Sequence, residues 1–342
     1  MVWVYRDPTE IPPREWVLGT TLLRGYASIL GSMGGVGKTA YAIALALAFI
    51  TGRRDMIDQH VFQSGKAWFL TLEDDREELQ RRIAAAMIAH DIAADQVGGR
   101  LFINTASERP LLLARAEIDG TFIVCEDVER LVDGIKAQAI GLTIIDPLVK
   151  SHAVIENSNE HMDRLIGTAN DIARATRSSV LLATHFRKGG GDNGTRDAIR
   201  GGSALIDGAR IVRTLMPMTE KEAEALKIAP DEAFRYVRVH DAKANLAPKG
   251  RAAWFELVSI PLGNREVNPT YPAGDNVQAA KVWKPPNAFD SVDRSAMKRI
   301  FARLRGEPEP GWFYSPESRA KFWAGTVIIE EADKSRSKPA PC

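Results

Sequence analysis

The sequence predicts an α/β fold: a mostly parallel sheet flanked by helices, with antiparallel strands at one edge and a small C-terminal extension. Three observations carry this. Short apolar segments alternate with longer amphipathic ones between residues 26 and 185, the pattern of a parallel sheet covered on both faces. A glycine-rich turn joins the first of these segments to a helix-like run. Beyond residue 209, strand-like segments follow one another without that alternation.

Residues 1–25 carry Pro8, Pro12, Pro13 and Trp16 and read as an irregular lead-in. YASIL (26–30) is a buried strand, followed by the turn at 31–37 and a helix over 38–52 that Gly52 closes. KAWFLTL (66–72) is the next strand. A helix over 75–91 follows, with an acidic first turn and apolar Leu79, Ile83 and Met87 at a spacing of four. LFINT (101–105), IGLTIID (140–146) and SSVLLATH (178–185) are further strands, and NEHMDRLIGTANDIARAT (159–176) is a helix. The Gly-rich, basic stretch 186–199 has no hydrophobic period and reads as a mobile loop. ARIVRTLMPM (209–218), FRYVRVHD (234–241) and AAWFELVSI (252–260) are strands at one sheet edge. The core therefore spans 26–260. Residues 261–280 begin with a Pro-, Gly- and Asn-rich run and read as a linker. Residues 281–342 form a small basic extension, with 12 basic and 8 acidic residues. RSAMKRIFARLR (294–305) is a basic amphipathic helix there, and the end, EADKSRSKPAPC, reads as disordered.

Composition narrows the function. The 342 residues are 45% hydrophobic and 26% charged, with a net charge of +1, so any nucleic-acid contact comes from a local patch. Two cysteines, Cys125 and Cys342, make neither a disulfide framework nor a zinc site and fit a reducing, cytoplasmic compartment. The start MVWVYRDPTE is not a signal peptide. The longest apolar run, AYAIALALAFI, has eleven residues, short of the ~20 that cross a bilayer, so no membrane partner is expected.

The main chemical signal is Ser32-Met33-Gly34-Gly35-Val36-Gly37-Lys38-Thr39, with Ala40 next, between a strand and a helix. Glycines let successive N–H groups turn inward on phosphate oxygens, and the helix N-terminus faces the anion. Lys38 reaches the β- and γ-phosphates and the Thr39 hydroxyl is a Mg²⁺ ligand. Ser32 stands where the strict phosphate-loop pattern has glycine. Asp146 ends a strand, the placement of a second Mg²⁺-holding group. Glu73 lies at another strand's carboxyl end and can orient an attacking water. Asp74 and Asp75 are rivals by type, better suited to cap the next helix. His185, at a third strand end, can hydrogen-bond the γ-phosphate and report it to the following loop.

Taken with RGGSALIDGAR (200–210) and AKANLAP (242–248), this ordered set resembles the RecA-like ATPases, specifically plasmid RepA-type hexameric replicative helicases and their phage and bacterial relatives, over about residues 10–260. The resemblance implies a six-membered ring with Mg-ATP at the subunit interfaces. It implies that Glu73 activates water, Asp146 helps hold Mg²⁺ and His185 senses the γ-phosphate. Arg210 matches the arginine finger that reaches the neighbouring subunit's site. Arg200 and Arg213 are alternatives, and Lys243 is a second basic contact there. Arg187, Lys188, Arg196 and Arg200 supply cations to a loop lining the channel around single-stranded DNA. The expected function is an ATP-hydrolysing ring motor on single-stranded DNA, a replicative helicase, with a replication partner at the C-terminal tail. The alternative is an ATP-gated regulatory or scaffolding protein without unwinding activity.

Overall fold

A computed structural model describes residues 3–185, 203–248, 250, 252–264, 270, 274–286, 294–317 and 319–336. In chain order its elements are β1 (Trp16–Leu18), β2 (Leu22–Leu23), β3 (Ala27–Ser32), α1 (Lys38–Thr51), β4 (Lys66–Thr71), α2 (Arg76–Ala89), β5 (Leu101–Thr105), β6 (Ala114–Ala116), β7 (Phe122–Val124), α3 (Asp127–Gln138), β8 (Ile140–Asp146), β9 (His152–Ala153), α4 (Asn159–Thr176), β10 (Ser179–His185), α5 (Ser203–Gly208), β11 (Ile211–Pro217), α6 (Glu220–Leu226), β12 (Tyr236–Ala244), β13 (Ala253–Pro261), β14 (Asn276–Trp283), α7 (Arg294–Arg305) and α8 (Ala324–Arg336).

Nine strands form the main sheet in the order β14-β13-β12-β11-β3-β10-β8-β4-β5. From β11 to β5 every neighbouring pair is parallel. From β11 to β14 every pair is antiparallel. The parallel strands are continuous apolar runs because both faces are covered. β8 is buried along its whole length, as a central parallel strand must be. On one face α1 and α2 share a core with Phe69, Leu142, Ile144 and Leu181. On the other, α3 and α4 pack against Ile29, Leu70, Ile145 and Leu182.

Helix α1 is apolar all round, from Ala40 to Ile50. Such a helix must be enclosed on every side. The antiparallel strands do this: Phe255, Leu257, Ala279 and Ala280 join the α1 core, and the Tyr41 and Phe255 rings meet edge to face at 4.8 Å. β14 also runs beside α2, where His90 Nε2 lies 2.9 Å from the Ala280 carbonyl and Arg81 pairs with Asp275 at 3.3 Å.

This arrangement corrects the linker expected at 261–280. The polar run ends at Asp275, and Asn276–Trp283 is an edge strand paired with β13. Its apolar Ala279, Ala280 and Val282 are what α1 and α2 require, but they follow a Pro- and Gly-rich stretch that hides them. The chain divides into one unit ending at Lys284 and a second starting at Pro285. The tail expected as disordered is helical through Arg336, the end of α8, and residues 337–342 lie outside the described residues. The lead-in is partly structured as well: β1 and β2 pair, burying Val17, Leu18, Leu22 and Leu23.

Among the elements that went unread in the sequence are a hairpin and a helix. The β6–β7 hairpin turns at Asp119-Gly120, with Gly120 at φ +85°, and Asp-Gly is a strong hairpin signal. Helix α3 contains Gly134, whose added Cβ would lie 2.9 Å from the Trp68 ring. The ring's close approach requires glycine there, and that glycine breaks the helical reading.

Arg213 on β11 is buried and pairs with Asp241 on β12 at 2.9 Å, and also donates to the Thr20 hydroxyl at 3.0 Å. Removing one member of a buried pair strands the other charge, at a cost of about 3–5 kcal/mol. Arg213→Met is therefore expected to lower the urea midpoint markedly. The Arg213→Met/Asp241→Leu double variant is expected to recover most of that loss.

Candidate functional site

The carboxyl ends of β3, β4, β8 and β10 converge on one cleft of about 230 Å³. In a parallel α/β sheet this edge is where ligands bind. Its walls include Thr71, Glu73, Asp146 and His185, and every phosphate-loop residue from Ser32 to Ala40 except Gly34.

The loop geometry follows from its glycines. Gly35 and Gly37 adopt φ of +77° and +80°, values that disfavour any residue with a Cβ. Gly37 is doubly constrained: a Cβ there would come within 2.6 Å of Leu257 on β13. Ser32 at the first pattern position needs no such freedom. It is the last residue of β3, buried, with its hydroxyl donating to the Met33 carbonyl at 2.8 Å. A small polar residue therefore fits where the strict pattern has glycine.

Lys38 begins α1, and its side chain is only 4% exposed. Its Nζ lies 3.6 Å from Asp146 Oδ1 and 3.0 Å from His185 Nε2. Burial pushes the ammonium below its ordinary pKa, while Asp146 and Glu73 oppose the shift. An ammonium only donates, so the facing ring nitrogen of His185 accepts. Burial and the Lys38 charge hold His185 below the usual histidine value. The Thr39 hydroxyl donates to Asp146 Oδ2 at 2.7 Å. Two hard oxygens in contact suit Mg²⁺, which takes oxygen ligands and retains waters. Among the described residues no group of three or more His, Cys, Asp or Glu is arranged to hold a metal. That donor set fits an ion carried largely by nucleotide phosphates, with Thr39 and Asp146 as the protein's share.

Glu73 stands on the turn after β4, exposed to the cleft. That turn is pinned on both sides: the Leu72 amide donates to the Asp146 carbonyl at 2.8 Å, and the Asp74 amide to the Thr71 hydroxyl at 3.2 Å. Asp75 caps α2 by accepting from the Glu78 amide at 2.7 Å, the role its residue type suits. Asp74 is not part of that cap. It lines the cleft, where burial raises its pKa against the pull of Arg82.

Arg82 and Gln278 also line the cleft, and the sequence reading named neither. Arg82 lies 3.0 Å from both Asp74 and Glu78. Its signal was present in the i, i+4 spacing of Glu78 and Arg82 on a helix whose start is fixed by Asp75. Gln278 gave no local signal, because it sits on the strand hidden behind the apparent linker.

Among the described residues, the remaining expected ones are not brought to this cleft. Arg210 is exposed, just before β11. Its neighbour Ile211 pairs with Ser28, whereas Leu215 pairs with Ser32, where the phosphate loop starts. About 13 Å of strand, at ~3.3 Å per residue, separates those two levels. Arg213 is committed to Asp241 inside the fold and is not a surface cation. Lys243 Nζ donates to the Ile206 carbonyl at 2.9 Å, holding α5 rather than presenting a free charge. Arg187, Lys188, Arg196 and Arg200 lie outside the described residues.

The Lys38–His185 contact has a pH consequence. His185 free of nucleotide is held below about 6.5, and polyanion binding raises its pKa, so binding takes up a proton. ATP affinity should rise as pH falls from about 7.5 to about 5.5. Calorimetric titration across that range should show part of this slope missing in His185→Gln.

The profile of the AAA domain family matches residues 1–191, more than half of the chain. Among solved structures, one described as a DnaB-like replicative helicase and its interactions with primase aligns at 14% identity, with a TM-score of 0.48. The alignment covers 75% of this chain and 59% of that one, so the chain spans less than two thirds of its length. In the described residues no helix is long and apolar enough to cross a membrane. A phosphate loop between β3 and α1, a mostly parallel sheet with helices on both faces, and the profile match together place the chain in the AAA domain family, with an α/β P-loop fold.

Proposed function

We propose that the chain is a Mg-ATP-hydrolysing motor that assembles into a ring, as a homohexamer, and acts on single-stranded DNA as a replicative helicase. The observation that carries the hydrolytic part is the meeting of Lys38, Thr39, Glu73, Asp146 and His185 in one cleft. Each has a distinct task there. The loop amides and Lys38 bind the phosphates. Thr39 and Asp146 hold Mg²⁺, which when bound screens phosphate charge. Glu73 accepts a proton from, and orients, the attacking water. His185, in contact with Lys38, registers whether the γ-phosphate is present and passes this to the chain that follows β10.

The ring reading is supported by the state of the cleft's cations: among the described residues the lining holds, besides Lys38, only Arg82, which is paired with Asp74 and Glu78. Transition-state charge at the γ-phosphate calls for a further cation, worth about 10³–10⁵ in rate when supplied by an arginine. Arg210 is exposed and stands toward the far end of the sheet from its own phosphate loop. It can serve a neighbour's site but not its own. The DNA reading rests on the sequence of 186–200, with Arg187, Lys188, Arg196 and Arg200 as the contacting cations.

Two measurements test this. Glu73→Gln should bind ATP as wild type does and lose at least about 100-fold in turnover. Wild-type turnover should rise with protein concentration and with single-stranded DNA, and Arg210→Ala should lose about 10³-fold while still binding nucleotide. Turnover that ignores both concentration and DNA would instead identify a nucleotide-gated scaffold.

A further inference from the structure

The second unit carries a charge pattern of its own. Helix α7 has five cations and no acidic residue, and the fold sorts those cations into two groups. Arg299 and Arg303 face α8. Arg299 lies 2.9 Å from Glu331, and Arg303 lies 3.1 Å from Glu331 and 2.9 Å from Glu330. Glu331 is only 3% exposed. These two arginines are neutralised inside the unit, on the side where Ala296 and Ile300 are buried.

Arg294, Lys298 and Arg305 are exposed, and among the described residues none has an acidic partner. At 100° per residue they fall, together with Phe301, within an arc of about 60°, roughly opposite Arg303. Along the axis the cations extend over about 16 Å, at 1.5 Å per residue. Phe301, 53% exposed, sits between Lys298 and Arg305 on this stripe. A free row of cations with one aromatic ring set among them has a specific chemistry: the cations match a phosphate backbone, and the ring offers a face to an unpaired base.

We infer that the outer face of α7 is a binding surface for single-stranded nucleic acid, distinct from the phosphate cleft. It shares with the proposed motor only the class of polymer bound. A bilayer surface is a poorer occupant, because membrane-binding helices bury a broad apolar face and this stripe offers a single large apolar side chain. An acidic peptide would pair with the cations but gives Phe301 no matching partner.

The test uses the full chain and fluorescent oligo(dT), read by anisotropy at several salt concentrations. The Arg294→Gln/Lys298→Gln/Arg305→Gln variant should bind at least about tenfold more weakly, and the slope of log K against log salt should shrink by about 2, since each single-strand phosphate contact contributes about 0.7. Phe301→Ala should lose about tenfold and Phe301→Tyr should restore it. ATP turnover without DNA should be the same in all of these variants, so a defect in the hydrolytic core would be recognised separately. The inference is overturned if the triple variant keeps the wild-type salt slope. It is also overturned if a poly-glutamate peptide or phosphatidylglycerol vesicles bind this face more tightly than oligo(dT), or if Phe301→Ala binds as wild type does.

Discussion

One buried charge organises the candidate site. The Lys38 ammonium is almost wholly removed from water, and a charge so placed must be met by partners or be lost. Its partners come from strands far apart in sequence: Asp146 from the end of β8 and His185 from the end of β10. Those strands flank or lie close to β3 in the sheet, so their carboxyl ends must stop at one level for the three groups to touch. Register supplies this. His185 pairs with Ser32, and Thr71 pairs with Asp146. A slip of one residue in any pair would turn each side chain to the opposite face. Strand register is thus part of the chemistry of the cleft.

The second constraint is the enclosure of α1. A helix carrying a phosphate loop at its start is tolerable as a wholly apolar cylinder only if it is covered all round. Parallel strands cover one side and α2 another, and the antiparallel β13 and β14 supply much of the remaining cover. This is why Leu257 can lie against Gly37 and why Gln278 reaches the cleft. The antiparallel edge is a wall of the nucleotide site as well as an extension of the sheet.

What could be read from the sequence follows from how local each signal is. IGLTIID and LFINT were legible as strands to the residue, because a buried parallel strand is a short apolar run with clear ends. Helix α4 was equally legible, with Ser158 capping its start by accepting from the His161 amide. The phosphate loop, Glu73, Asp146 and His185 were found because each is fixed by its place at a strand end. The failures are non-local. Gly134 breaks a helical pattern for the sake of Trp68, a partner 66 positions away. β14 is a strand because α1 and α2 need cover, a demand its own residues do not announce. Arg213 looked like Arg210 in sequence, and only the bulged β11–β12 pairing, with Asp241 opposite, distinguishes them.

That last pair of arginines bears on mechanism. They stand three residues apart at the start of one strand, yet one is sealed in the fold and the other faces solvent. Asp241 fixes Arg213, and Arg213 in turn joins β11 to β12 and to Thr20 in the N-terminal segment. Lys243, on the same strand as Asp241, holds the Ile206 carbonyl of α5, the helix leading to Arg210. The backbone that presents Arg210 is therefore braced from both sides by buried or half-buried cations. A braced backbone removes one part of the conformational entropy that a cation at this position would lose on meeting a phosphate. In the proposed ring, a fixed backbone at Arg210 would make its reach depend on how the subunits sit together, and hydrolysis would be tied to assembly through geometry.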